Sequence, residues 1–120
     1  GLRAILNFGH TIGHAIEAIS GYGRYLHGEA LAVGLVAAAK LSARQLGLAP
    51  REEEQITALL EAAGLPTRIP FNPKQRQRLF DAMRLDKKVS GGDVKFVLAE
   101  RIGKVVWGQS VPLPHIEQVL

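Results

Sequence analysis

The sequence predicts a mainly α, multi-helical domain carrying one small β-hairpin. Three observations lead there. Apolar residues recur at helical spacing between Gly and Pro breakers along most of the chain. The run Ala30–Ala39 is apolar on every side, as in a helix buried among other helices. Only one stretch, Val94 to Trp107, is rich in β-formers. At 120 residues the chain has the size of one ordinary domain, long enough to bury a core.

Taken in order, Leu2–Phe8 reads as helical, with no capping residue and no initiator Met before it, so the chain reads as a piece of a longer one. A second helical segment, Thr11–Ile19, stops at the flexible turn Ser20-Gly21-Tyr22-Gly23. The long buried helix runs from about Gly28 to Leu46, turns polar at Lys40, Arg44 and Gln45, and ends at Gly47 and Pro50. Glu52–Ala63 follows, with acids in its first turn and Gly64-Leu65-Pro66 as its stop. Asn72 caps the next helix, Lys74–Arg84, with Pro73 at its first position and Leu79, Phe80 and Met83 on its apolar face. Ser90-Gly91-Gly92-Asp93 leads into Val94–Leu98, and Arg101-Ile102-Gly103-Lys104 joins that strand to Val105-Val106-Trp107. Pro112–Leu120 opens a last helix. There is no internal repeat.

Several function classes fall away on composition. With 47% hydrophobic and 22% charged residues and no low-complexity tract, the chain is neither disordered nor fibrous. It has no cysteine, which removes a disulfide scaffold, a zinc finger and a thiol nucleophile, so a metal would need His, Asp or Glu. Its longest apolar run is about half of the roughly 20 residues a membrane helix requires, and the first residues do not have the order of a signal peptide. The excess of 15 Lys and Arg over 11 Asp and Glu suits a small anionic ligand, whereas the scatter of the basic residues argues against nucleic acid.

Chemistry concentrates near the start, where His10, His14 and His27 fall within 18 positions. At about 100° per residue His10, His14 and Glu17 share one helix face, which can present two imidazoles and a carboxylate. Gly9 and Gly13 remove bulk beside them, so that a ligand or a neighbouring backbone can approach. Glycine costs about 1 kcal/mol relative to Ala within a helix, so the pair points to a packing or binding reason. His27-Gly28-Glu29 enters the buried helix and could aim His27 back toward His10, giving two imidazole nitrogens to a metal or an anion. Spacing alone leaves this open: His-x-x-x-His also arises by chance, as a core pair in a non-catalytic helical binding module. Neither His-Glu-x-x-His nor Gly-x-Gly-x-x-Gly is present.

The motifs Leu6-Asn7-Phe8-Gly9-His10-Thr11-Ile12-Gly13-His14-Ala15-Ile16-Glu17, Tyr25-Leu26-His27-Gly28-Glu29-Ala30 and Asp86-Lys87-Lys88-Val89 closely resemble the 3-dehydroquinate synthase family of sugar-phosphate cyclases, and the similarity extends along essentially the whole chain. The resemblance implies that residues 1–120 form the helical, metal- and substrate-binding C-terminal domain of a cytoplasmic two-domain enzyme. It also implies an absent N-terminal α/β domain that binds NAD, and a homodimer at full length. The implied reaction is that of the shikimate pathway for aromatic amino acids: 3-deoxy-D-arabino-heptulosonate 7-phosphate becomes 3-dehydroquinate and phosphate, with NAD reduced and regenerated in each turnover.

By the same resemblance His10 and His27 are two of three ligands to zinc or cobalt, the third being a glutamate outside this chain. His14 acts on the substrate or its phosphate, Arg3 and Asn7 contact the substrate, and either Lys87 or Lys88 reaches its anionic groups. No residue of this chain is expected to bind NAD. Read as residues alone, Arg3, Lys87 and Lys88 could equally be solvated charges and Asn7 a cap or turn residue. Glu17 is expected beside the ligands rather than on the metal, Glu29 as a first-turn acid, His115 at the surface and Trp107 in hairpin packing. Cyclases of the 2-deoxy-scyllo-inosose or valone synthase type share the histidines and remain the alternative activity.

Overall fold

The computed structural model describes residues 10–20, 27–89 and 95–120. In chain order these form α1 (His10–Ser20), α2 (His27–Leu46), α3 (Pro50–Ala62), α4 (Pro73–Val89), β1 (Lys95–Arg101), β2 (Lys104–Ser110) and α5 (Leu113–Val119). The expected Leu2–Phe8 helix, the turn at 21–23 and the turn at 90–93 lie outside the described residues.

Helix α2 is the centre, packed against α1, α3, β1 and α5. Ala30, Val33, Ala37 and Leu41, spaced by three and four, enter one core with Ile12 and Ile16 of α1, Leu79, Phe80 and Met83 of α4, Phe96 and Leu98 of β1, and Ile116 of α5. On another side Ala39 meets Leu48 and Ala99 in a smaller cluster flanked by Ile56 and Val105. A helix covered on several sides needs apolar residues all round, which accounts for the run at 30–39. The polarity expected beyond Lys40 is interrupted: Lys40 and Arg44 are exposed, but Ser42 is fully buried. Its hydroxyl donates to the Ala38 carbonyl at 2.7 Å and accepts the Ala99 N–H at 2.8 Å, which fastens β1 to the helix.

The breakers act much as their chemistry requires. Gly64 ends α3 at φ +77°, its N–H bonded to the Glu61 carbonyl and that of Leu65 to the Leu60 carbonyl, a Schellman closure. Pro50 corrects the sequence reading: instead of closing α2 it occupies the first position of α3, where its fixed φ suits the helix and its missing N–H has no partner to lose. Asn72 and Gln75 form a reciprocal capping box, Asn72 Oδ1 accepting the Gln75 N–H at 2.8 Å and Gln75 Oε1 accepting the Asn72 N–H at 3.0 Å. Helix α4 runs on to Val89, past the expected end at Arg84, because Leu85–Val89 contains no breaker.

The expected hairpin forms, antiparallel, but its strands run further, β1 to Arg101 rather than Leu98 and β2 to Ser110 rather than Trp107, so that Arg101 pairs with Lys104 and the turn shrinks to Ile102 and Gly103, the latter at φ +94°. The Ile102 N–H donates to Glu52 Oε1 at 3.3 Å, and Gln45 Nε2 donates to the Ser110 carbonyl at 3.0 Å, so both ends of the hairpin are tied to helices. Arg76 donates to the Glu117 carbonyl and lies over the Phe80 ring, 5.0 Å from its centroid, joining α4 to α5. His115, expected at the surface, is half-buried, because the α5 turn that carries it packs Ile116 into the core. The Trp107 side chain lies outside the described residues.

Candidate active site

Helix α1 divides into two faces. Ile12 and Ile16 are buried, with Ala15 and Ile19 packed beside them. On the other side His14 is exposed and Glu17 half-buried. Helical period places position 10 on that second stripe, four residues before His14. The stripe singled out by the sequence is therefore on the side of α1 away from the core.

A second feature of α1 fixes its relation to α2. A Cβ built on Gly13 would lie 2.9 Å from Leu31 Cδ2, 3.3 Å from Leu31 Cα and 3.4 Å from the Ala30 carbonyl oxygen. The sequence left open whether this glycine admits a ligand or a backbone, and the answer is the backbone of α2. His10 stands three residues before Gly13 and His27 three residues before Ala30, so each histidine position precedes the helix contact by about 4.5 Å along its axis.

Helix α1 also packs against α4, whose final turn contains Lys87 and Lys88. The motif segments thus fall on three helices, α1, α2 and α4, of which α1 packs against the other two, meeting α4 through the core that holds Leu79, Phe80 and Met83. The side chains of His10, His27, Lys87 and Lys88, and the whole of Arg3 and Asn7, lie outside the described residues. Glu29 falls in the first turn of α2, as expected.

Two concavities among the described residues lie elsewhere. A cleft of about 230 Å³ lies between α2, the 67–71 loop and the end of α5, with Lys40 and Arg68 among its lining residues. A wider apolar groove, about 620 Å³, runs between α3 and the hairpin and includes the exposed Leu59 and Ile102. Neither is lined by a residue of the motifs. Among the described residues no helix is long and apolar enough to cross a membrane.

The donor set fits a metal such as zinc or cobalt. Imidazole suits both ions, and the two histidine positions begin adjoining helices, each three residues before a contact that a Cβ on Gly13 would obstruct; among the described residues no group of three possible ligands occurs, so further donors would have to come from elsewhere.

Comparison with known proteins gives the family of the chain. The sequence model of the 3-dehydroquinate synthase C-terminal family matches residues 1–89. The 3-dehydroquinate synthase of Acidithiobacillus ferrooxidans is 53% identical over 120 residues, covering all of this chain and 32% of the relative. That of Nostoc punctiforme is 48% identical over 121 residues, covering all of this chain and 33% of the relative. The chain therefore spans about a third of the length of the curated relatives it matches. Among solved structures, a 2-deoxy-scyllo-inosose synthase in complex with carbaglucose-6-phosphate, NAD+ and Co2+ superposes with a TM-score of 0.79 at 28% identity, over 94% of this chain and 33% of that one. Motif, fold and relatives agree, and the chain belongs to the 3-dehydroquinate synthase C-terminal family.

Proposed function

We propose that this chain is the metal- and substrate-binding C-terminal part of a cytoplasmic, homodimeric 3-dehydroquinate synthase, converting 3-deoxy-D-arabino-heptulosonate 7-phosphate to 3-dehydroquinate and phosphate, with NAD held by a preceding α/β domain. The observation that supports the reading is the packing of α1, which bears the first motif, against both α2 and α4, with His14 and Glu17 turned from the core. A site built that way has one wall and is completed by another part of the polypeptide.

In this reading His10 and His27 hold the metal through neutral imidazole nitrogens, and a glutamate beyond this chain supplies the third donor. When bound, zinc and NAD supply Lewis acidity at a substrate hydroxyl and a reversible acceptor for its hydride. His14, exposed beside the metal position, takes up and returns protons at the substrate or its phosphate. Oxidation of the alcohol to a ketone acidifies the neighbouring C–H. Loss of that proton sends an electron pair toward the C–O bond, which breaks as phosphate leaves. Reduction of the ketone and an intramolecular aldol addition, which forms the new carbon–carbon bond of the ring, would complete the conversion. Arg3 grips an anionic group of the substrate by paired hydrogen bonds, Asn7 bonds a hydroxyl, and Lys87 or Lys88 offers a point charge.

Likeness to the 2-deoxy-scyllo-inosose synthase favours a second reading, turnover of a hexose phosphate. The higher identity to the 3-dehydroquinate synthases supports the first. Assay of the full-length enzyme with each sugar phosphate separates them. Release of phosphate together with 3-dehydroquinate from the heptulosonate phosphate is expected, and turnover of a hexose 6-phosphate alone would overturn the assignment.

A further inference from the structure

We propose that Gly13 is a positioning residue for the metal: its missing side chain sets the spacing between α1 and α2, and with it the separation of His10 from His27. The inference rests on the reading above that these two histidines share one ion. It draws on a separate observation, the fit of residue 13 against the second helix.

A methyl group at position 13 would meet three atoms. Leu31 Cδ2, at 2.9 Å, is the end of a flexible side chain and can rotate away. Leu31 Cα at 3.3 Å and the Ala30 carbonyl oxygen at 3.4 Å belong to the α2 backbone and move only with the helix. The oxygen is at ordinary van der Waals distance, but Leu31 Cα is closer than a Cβ normally approaches, so even with the Leu31 side chain rearranged an alanine pushes the helices apart by a few tenths of an ångström. Metal–ligand distances tolerate about ±0.2 Å. Because His10 and His27 each stand only about 4.5 Å along the helix from this contact, a shift there is passed to both ligand positions with little room to dissipate. Glycine at this position, unfavourable for the helix itself, is explained by the approach it permits.

The expected effect of Gly13→Ala is a rise in zinc Kd of about 10- to 100-fold, the range found when groups that orient metal ligands are removed. It should be accompanied by a changed visible spectrum of the cobalt-substituted protein. The experiment is zinc titration of the metal-free full-length enzyme, comparing wild type with Gly13→Ala, His10→Ala and Ser42→Ala. Ser42→Ala is the control for general loss of stability: it breaks a buried hydrogen bond far along α2 and should lower the melting temperature with zinc Kd unchanged. If Gly13→Ala does not fold, Gly13→Ala/Leu31→Ala removes the 2.9 Å clash and is measured instead. Its Kd should still exceed that of wild type, because the tight contact with the α2 backbone at the Cα of residue 31 persists. Wild-type zinc affinity in whichever Gly13 variant folds, alongside lost affinity in His10→Ala, would overturn the positioning role and leave the metal reading intact. Wild-type affinity in His10→Ala would overturn the metal reading itself.

Discussion

Replacing Ser42 by alanine tests how the hairpin is attached to the central helix. The hydroxyl is fully buried and makes two bonds, to the Ala38 carbonyl at 2.7 Å and from the Ala99 N–H at 2.8 Å. Ala38 loses little, since its carbonyl is also the regular helical acceptor for residue 42. Ala99 loses its acceptor in a site that water does not reach, being 5% exposed. Leaving a buried donor unsatisfied costs about 1–3 kcal/mol. A cost near 2 kcal/mol corresponds to an increase of about 30-fold in the opening equilibrium that governs amide exchange. Hydrogen-exchange mass spectrometry on the full-length enzyme should therefore show faster exchange in the peptide covering β1, while α4 exchanges as before. Unchanged exchange across residues 95–101 would show that this bond does not hold the strand, and the account of the hairpin's attachment would fail.

Other substitutions probe different links in the argument. His14→Ala should lower turnover far more than zinc content, measured by steady-state kinetics beside elemental analysis; parallel losses would instead make His14 a metal ligand. Asn72→Ala should cost about 1 kcal/mol by removing one half of the capping box, seen as faster exchange at the start of α4, and an unchanged α4 would mean that the cap contributes nothing.

The sequence was most legible where chemistry is local. Asn72 followed by Pro73 announced a helix start, Gly64 a helix end, and Arg101–Lys104 a hairpin turn, because a cap or a left-handed φ depends on few neighbours. Errors arose where a local signal has two uses. Proline both follows helices and begins them, and only the next apolar turn tells which role Pro50 takes. The Ser42–Ala99 bond joins residues 57 apart, and no periodicity signals it. The family was legible in the motifs of residues 6–17 and 25–30, whose length exceeds what a bare His-x-x-x-His spacing conveys. The wheel gave His10, His14 and Glu17 one face but could not say what covered it. That Gly13 meets the backbone of α2 became readable only once the helices were placed.

In the proposed function His10 and His27 provide two of the ligands of a metal site shared with the rest of the polypeptide. Zinc content of the purified full-length enzyme, determined by elemental analysis for wild type, His10→Ala and His27→Ala, tests it most directly. The account predicts about one equivalent per subunit in wild type and a small fraction of that in each variant, because the loss of one of three protein donors leaves too few to hold the ion. A full equivalent of zinc retained in either variant would contradict it.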